Sequence, residues 1–338
     1  MKFLLFRSPH IKYPLIFFIS LLTSFSALST TVENDNAKLS FERLSVALRE
    51  LNFSTSFVVV KNNQAEPYHW LHGLTKALKN GNQTELEILA LLNGPRRDIL
   101  RIDETVSYIE PEYAPYSIIS PYISGPIPAV FGQDVSVLDN NYHFVSVGKS
   151  RVLGRVAQLI RIVPKDTHRF GYWVWLDQQS GLLLKLAVIT RKGKLLEQIQ
   201  FTHLDITDNL SEHLKQLQAT DLPKVVDMTA KQEVTKLDWR VNWLPNGFKQ
   251  IKSNIHRINS SKQAVEFMLF NDGLVDLSVY VNPSKDEQRA IEFAHDGATL
   301  VLNQVINNVE VSVVGKVPVA TAKKIVNSVR FVSDPRTP

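Results

Sequence analysis

The sequence GRVAQLIRIVPKDTHRFGYWVWLDQQSGLLLKLAVITRKGKLLEQIQFTHLDI, from Gly154 to Ile206, decides the fold of this chain. It predicts four consecutive antiparallel strands. In the third strand apolar residues recur with a period of two, which is expected when one face is buried and the other is wetter: Leu184, Leu186 and Val188 alternate with Lys185, Ala187 and Ile189. The glycine turn at Arg191–Lys194 then restarts the pattern, so the block predicts a meander and argues against a parallel, nucleotide-binding sheet.

The second strand of this block is apolar on both faces. Trp173 and Trp175 lie on one face, and Tyr172, Val174 and Leu176 occupy the other. Such a strand is covered on both sides by helices, by another domain or by a ligand. Core packing alone would also explain the pattern.

The N-terminus has the pattern of a secretory signal peptide. Three cations precede the apolar run 15–22, and the small residues Ala27 and Ser29 suit a cleavage site before Thr30. We therefore expect residues 1–29 to be removed. The alternative is an uncleaved anchor, but the apolar run is shorter than the ~20 residues that a spanning helix needs.

Composition narrows the class of protein. The net charge is +5, and three of the excess cations lie in the leader, which leaves a mature chain near neutrality and gives no reason to expect nucleic-acid binding. The chain has no cysteine, so disulfides, thiol catalysis, cysteine-ligated zinc and lipidation of an N-terminal cysteine are excluded. We expect a soluble protein of the periplasm.

Length and pattern predict two domains. We place the first at 30–206, a polar linker at 207–235 and the second at 236–332. The first domain begins with a core-facing helix whose apolar stripe is Ala37, Phe41, Leu44, Leu48 and Leu51. Prolines and glycines between 117 and 131 predict a loop or short helix across a sheet mouth. In the second domain, Asn271–Gly273 marks a hairpin.

Signatures of catalysis or metal binding are missing. His69 and His72 would point to opposite faces of a strand, and the acidic pairs near residues 103 and 110 suit solvated strand ends better than a glycosidase cleft. We predict no enzyme activity, no metal site and no cofactor. Arg96 and Arg97, after a Gly-Pro turn, are either a solvated strand start or a contact for an anionic head group or a partner's acid.

Several short motifs in order make the chain resemble the MucB/RseB family of periplasmic regulators of the envelope-stress sigma factor. They are LLNGPRR at 91–97, SYIEP at 107–111, the block at 154–206 and WLPNGF at 243–248. Together they span nearly the whole mature chain.

The resemblance implies an α+β fold with two domains. The first would be an open antiparallel half-barrel, like that of the lipoprotein carriers, whose concave apolar face is closed by helices, and the second a smaller α/β domain. Such a half-barrel offers an acyl-chain cavity. Our candidates for its walls are Trp173, Trp175, Leu184, Leu186 and Val188, with Arg96 or Arg97 near an anionic head group or partner.

The resemblance also implies a non-enzymatic negative regulator. It would bind the periplasmic domain of the anti-sigma factor RseA, shield it from the protease DegS, and be released by lipopolysaccharide or a related lipid. The alternative is a periplasmic lipid or lipoprotein carrier, which leaves the second domain unexplained. The sequence leaves open the lipid, the contact residues and the oligomeric state, a homo-oligomer included.

Overall fold

The computed structural model describes residues 26–76, 83–226, 236–257, 264–284 and 291–331. Residues 1–25 of the predicted signal peptide lie outside this part of the chain, and the first helix begins at Ser26. Within the described ranges, no helix combines the length and hydropathy needed to cross a membrane.

One open antiparallel sheet dominates the first domain. Its strands are β1 (Asn52–Lys61), β2 (Gln64–Leu74), β3 (Glu85–Leu91), β4 (Asp98–Ile102), β5 (Thr105–Ile109), β6 (Tyr116–Ile119), β7 (Tyr142–Val152), β8 (Arg155–Pro164), β9 (Gly171–Asp177), β10 (Leu183–Ile189) and β11 (Leu195–Thr207). Their spatial order is β6-β5-β4-β3-β2-β1-β11-β10-β9-β8-β7, so two meanders meet where β1 pairs with β11. The prediction of four antiparallel strands over 154–206 is confirmed by β8 to β11.

Helix α1 (Ser26–Glu50) fills the inner side of this sheet. Ala37, Phe41 and Leu44 are fully buried, which confirms the core-facing stripe. The Phe41 ring packs 5.3 Å from Phe131 and 5.5 Å from Phe144, measured between centroids. Each such apolar side chain contributes about 1.5–3 kcal/mol on burial. Because strands from both halves of the sheet share one core with the helix, the sheet curls into a half-barrel.

The segment rich in proline and glycine crosses the open side of the half-barrel from residue 120 onward, whereas residues 117–119 of the predicted loop belong to β6. It includes the short 3-10 helix Ala129–Gly132, and a second one, Val135–Leu138, follows it. Phe131 and Leu138 are fully buried, and Ile123 and Ile127 pack against the same core. We call residues 121–133 the covering segment.

The region predicted as a linker, 207–235, is described only as far as residue 226. In that part, α2 (Glu212–Gln218) buries Leu214 and Leu217 against Leu71 and Leu86 of the first sheet. The backbone N–H of Ser117 in β6 donates to the carbonyl oxygen of Lys224, and the N–H of Val226 donates to the carbonyl oxygen of Ser117. The domain boundaries drawn from the sequence stay predictions.

The second domain is smaller and also antiparallel. Its elements are β12 (Trp239–Val241), β13 (Lys249–Arg257), β14 (Ala264–Asn271), β15 (Asp276–Pro283), β16 (Glu292–Asp296), β17 (Thr299–Ile306), β18 (Val309–Gly315), α3 (Val319–Val326) and β19 (Val329–Phe331). Six strands form a sheet in the order β13-β14-β15-β18-β17-β16, and β12 pairs with β19. Ala322, Ile325 and Val326 of α3 are fully buried in its core. The two-domain α+β prediction is confirmed.

The predicted hairpin is present between β14 and β15. Asn271 pairs with Asp276, and Gly273 has a φ of 100°, a value that glycine adopts readily. The turn carries Asp272, which is only 5% exposed. A buried aspartate in a turn needs charged and hydrogen-bonding partners. The backbone N–H groups of Leu274 and Val275 donate to it within the turn, and its cation comes from the other domain.

Candidate functional site

A buried ionic cluster around Arg169 joins the two domains, and we call it the domain joint. Arg169 is 3% exposed, and its Nε donates to Asp272 Oδ2 over 2.6 Å. Tyr142 donates its hydroxyl to the same oxygen over 2.9 Å, and the guanidinium also contacts Asp166 and the carbonyl oxygen of Asn246. Burial and the charge of Asp272 raise the pKa of Tyr142 well above its ordinary value. The phenol therefore stays a donor, and every buried charge is paired.

The WLPNGF motif lies at this joint. Besides the Asn246 carbonyl, the motif contributes Phe248, whose ring centroid is 5.1 Å from the Arg169 guanidinium, and Trp243, whose ring lies 5.0 Å from that of His168. Gly247 has a φ of +87°, and a Cβ there would overlap the Asn141 side chain. The motif therefore fixes the contact between the domains.

Replacing Gly247 with alanine should lower the free energy of unfolding by more than the ~1–3 kcal/mol that a left-handed backbone costs a non-glycine residue, because the new methyl group also meets Asn141. Urea denaturation measures the loss. Gly193→Ala is the matched control, since Gly193 has a φ of +81° but no atom within 4 Å of its Cβ position. Equal losses in both variants would contradict a packing role for Gly247.

A large groove of about 830 Å³ lies between the domains, and we call it the interdomain groove. Leu186 and Val188 of β10 line one wall, and Ile251 and Leu269 line the opposite one. Two apolar residues of the groove are exposed: Ile251, at 57%, on the wall of the second domain, and Val137, at 55%, on the wall of the first domain. Exposed apolar residues on both walls are typical of a binding surface.

A second set of contacts joins the domains at the far side of the groove. Glu197, which lines the groove, pairs with Lys316 and accepts a hydrogen bond of 3.4 Å from the backbone N–H of Ala298. Lys61 also pairs with Asp296 over 2.7 Å at an exposed position. The groove is therefore bounded by interdomain contacts that hold its walls in place.

A separate cavity of about 340 Å³ lies inside the half-barrel, under the covering segment, and we call it the half-barrel cavity. Phe57, Trp70 and Leu89 of the sheet line it, together with Leu48 of α1 and Ile127 of the covering segment. Its size is at the lower end of the range for small-molecule sites, and its lining is mainly apolar. It could accommodate part of an acyl chain.

One end of this cavity is polar. Arg101, 4% exposed, pairs with Glu85 and Glu87, and the Trp70 indole donates to Glu87 over 3.2 Å. His72 contacts Glu85 through Nε2 at 3.1 Å, which agrees with the expectation of a hydrogen-bonded structural histidine. Among the described residues, no group of three or more histidines and acids could hold a metal ion. Burial raises the pKa of Glu85, but the hydrogen bonds from His72 and Arg101 and the charge of Arg101 outweigh burial and bring that pKa to about 2.

Glu85 should therefore make stability depend on pH. Its folded-state pKa lies below its ordinary value of 4.5, so its contribution is complete above pH 4.5 and is lost as the pH falls towards 2. We expect the free energy of unfolding of Glu85→Gln to fall less steeply over this window than that of the wild type. Thermal denaturation at a series of pH values measures both slopes, and parallel profiles would show that the carboxylate of Glu85 is not stabilised in the folded protein.

The predicted wall residues do not share one wall. Leu186 and Val188 lie opposite Val174 and Tyr172 in the ladder, on the inner face, whereas Trp173 and Trp175 lie opposite Ala187 and Lys185 on the outer face. The two faces alternate along the strand, so the tryptophans cannot line a site together with Leu186 and Val188. Leu184 is fully buried where the pairing with β9 is irregular. None of the five lines the half-barrel cavity, and Leu186 and Val188 line the groove instead.

The two candidate arginines differ. The Arg96 side chain is 72% exposed and pairs with Asp98 over 2.6 Å. Arg97, also exposed, lines a hollow of about 340 Å³ with Tyr68 and Glu110. That hollow shares Gly125 and Pro126 with the half-barrel cavity, so Arg97 lies near one of its openings.

Comparison with known proteins agrees with this architecture. Models of the MucB/RseB N-terminal and C-terminal domains match residues 36–226 and 233–330. The sigma-E factor regulatory protein RseB of Haemophilus influenzae is 30% identical over 320 residues, which cover 95% of this chain and 99% of the relative. The sigma factor AlgU regulatory protein MucB of Pseudomonas aeruginosa is 30% identical over 314 residues, 92% of this chain and 95% of the relative.

Solved structures show the same fold. The complex structure of Pseudomonas aeruginosa MucA/MucB matches with a TM-score of 0.68 and 29% identity, and the crystal structure of MucB in complex with MucA(peri) with a TM-score of 0.67 and 29% identity. Each match covers 88% of this chain and the whole of the other chain. The sequence motifs, the fold and these comparisons agree, and the chain belongs to the MucB/RseB family.

Proposed function

We propose that this protein is a non-enzymatic negative regulator of the sigma-E envelope stress response in the periplasm. It binds the periplasmic domain of an anti-sigma factor of the RseA kind and protects that domain from the site-one protease DegS. Its relatives are named as regulators of sigma factors, and MucB has been solved in complex with MucA. The observation that carries the proposal is the interdomain groove with exposed apolar residues on both walls.

The shape of the groove suits a peptide segment. Its volume of about 830 Å³ lies near the upper end of the range for ligand sites. One of its walls includes Ile251 of β13, and β13 is an edge strand of the second sheet whose outer backbone groups have no neighbouring strand among the described elements. An extended peptide can pair with such an edge while its side chains occupy apolar pockets. A segment bound in this way is inaccessible to a protease.

The covering segment provides a physical route from lipid to partner. Ile123, Ile127 and Pro128 line the half-barrel cavity on one side of this segment and the interdomain groove on the other. An acyl chain that enters the cavity displaces a wall that the groove shares. Arg97, at the neighbouring hollow, is placed to meet an anionic head group. Lipopolysaccharide or a related lipid would thus stabilise a conformation in which the groove has a lower affinity for the partner.

The groove assignment is tested by placing a charge on its wall. Ile251→Asp should weaken binding of the anti-sigma periplasmic domain by about 30-fold or more, the loss expected for a central apolar contact. Ile251 is already exposed, so the variant should fold normally. Ile255→Asp is the matched control, because Ile255 is exposed on the same strand but does not line the groove. Calorimetric titration measures both affinities, and equal losses would place the partner elsewhere.

A lipid or lipoprotein carrier is the second candidate function, and the half-barrel cavity is the observation that favours it. A carrier needs only the half-barrel, whereas here a buried ionic cluster fixes a second domain to it. Affinity purification from an envelope extract separates the two functions: recovery of the anti-sigma factor supports regulation, and recovery of maturing lipoproteins supports transport.

A further inference from the structure

A further concavity lies on the outer face of the first sheet, apart from the half-barrel cavity, the interdomain groove and the hollow at Arg97. This outer cleft has a volume of about 330 Å³ and is formed by the end of β8, the start of β9 and the turn after β10. Gly171 lies in its floor, paired with Ile189. Because Gly171 has no side chain, the sheet surface is hollow at this point. A Cβ at Gly171 would lie in ordinary van der Waals contact with Ile162, Ile189 and Pro164, at 3.5 to 3.8 Å, so a side chain can be added to the floor without displacing these neighbours.

The rim of the outer cleft is strongly basic. Arg161, Lys165 and Arg191 are all exposed, and within the described part of the chain none of them has an ion pair. A fourth lining cation, Arg169, is neutralised by Asp166 and Asp272. Four cations set against the two carboxylates Asp166 and Asp272 leave the cleft with a net charge of about +2 towards an incoming ligand.

An unused hydrogen-bond donor belongs to the same cleft. Trp173 forms part of its wall, with the Arg161 guanidinium carbon 5.8 Å from the ring centroid. The indole Nε1–H of Trp173 is buried and has no hydrogen-bond partner among the residues described. Buried donors are normally satisfied, so this N–H calls for an acceptor that the described residues do not supply. Hydroxyls of Thr167 and Thr190 line the cleft as well.

We propose that the outer cleft binds a phosphate group. Arginine guanidinium groups match the geometry of phosphate oxygens, and a doubly charged anion balances a net charge of about +2 better than a single carboxylate does. A phosphate oxygen is also a suitable acceptor for the indole N–H. The group comes either from inorganic phosphate or from a lipid head group. Trp175 and Lys185, 4.9 Å apart on the same face, extend the basic and aromatic surface that suits a lipid head-group layer.

The charges are tested with a paired substitution. Arg161→Gln with Arg191→Gln should weaken binding about tenfold or more, because two charge-assisted contacts are lost. Lys149→Gln with Lys249→Gln is the control. Both lysines are exposed and lie outside the cleft, and the two substitutions lower the net charge by the same amount as the arginine pair does. Calorimetry with inorganic phosphate and co-sedimentation with phosphatidylglycerol vesicles, against phosphatidylcholine vesicles, provide the two measurements. A response only to phosphate, or only to the anionic vesicles, identifies the source of the group.

The shape is tested separately by Gly171→Val, which fills the floor and leaves every charge in place. A ligand seated in the cleft should lose at least about tenfold in affinity, whereas diffuse attraction to a basic surface should not change. Circular dichroism confirms that the variant is folded. The proposal is overturned if neither phosphate nor anionic vesicles bind, if the arginine pair and the lysine control weaken binding equally, if Gly171→Val binds as the wild type does, or if polyglutamate binds and phosphate does not.

Discussion

Arg169→Met should destabilise the protein by about 3–5 kcal/mol, the usual cost of removing one partner from a buried ion pair. Methionine preserves most of the volume of the side chain but leaves the Asp272 carboxylate, which is 5% exposed, without a cation. Tyr142 and the backbone N–H groups of Leu274 and Val275 still donate to that carboxylate, and they cannot balance its charge. Urea denaturation measures the loss.

Two further variants make this prediction specific. Lys61→Met breaks the exposed interdomain pair with Asp296 and should cost at most about 1 kcal/mol. Adding Asp272→Asn to Arg169→Met should recover part of the stability, because no buried charge is then left unpaired. If Lys61→Met were as damaging as Arg169→Met, the domain joint would not be the principal connection between the domains.

Filling the half-barrel cavity should weaken the lipid response without weakening the anti-sigma complex. Leu89 lines the cavity. Leu89→Trp places a bulky indole ring in the space that an acyl chain would occupy. The concentration of lipopolysaccharide that releases half of the partner should then rise by about tenfold or more. Fluorescence anisotropy of a labelled anti-sigma domain follows the release.

The control for this experiment lies on the same strand. Ala90 follows Leu89 in β3 and points to the opposite face, so Ala90→Trp adds the same ring outside the cavity. We expect it to respond to lipid as the wild type does. A normal lipid response in Leu89→Trp would remove the half-barrel cavity from the mechanism.

Local patterns in the sequence predicted much of the fold. Period-two alternation located β8 to β11, the spacing from Ala37 to Leu44 identified the buried stripe of α1, and the Asp-Gly pair placed the hairpin at Gly273. Prolines and glycines placed the covering segment across the sheet. Each of these signals depends on neighbouring residues, and for this reason it survives in a single sequence.

The sequence predicts much less well which strand faces point into the core and which residues meet between the domains. A strand that is apolar on both sides does not show which side points inward, and the sequence pattern therefore groups Trp173 and Trp175 with Leu186 and Val188, which lie on the opposite face. The domain joint was missed for a related reason. Arg169 and Asp272 are 103 residues apart, and Asp272 already had a local explanation as a turn residue. Pairing over such distances leaves no periodic trace in one sequence.

The most direct test measures the affinity of the intact protein for the anti-sigma periplasmic domain with and without saturating lipopolysaccharide. If the half-barrel cavity and the interdomain groove share the covering segment as a common wall, lipid should lower that affinity by about 5- to 150-fold, the usual range of coupling between sites. The partner domain must then lower the affinity for lipid by the same factor. Simultaneous binding of both ligands, with neither affinity changed, would contradict regulation by lipid.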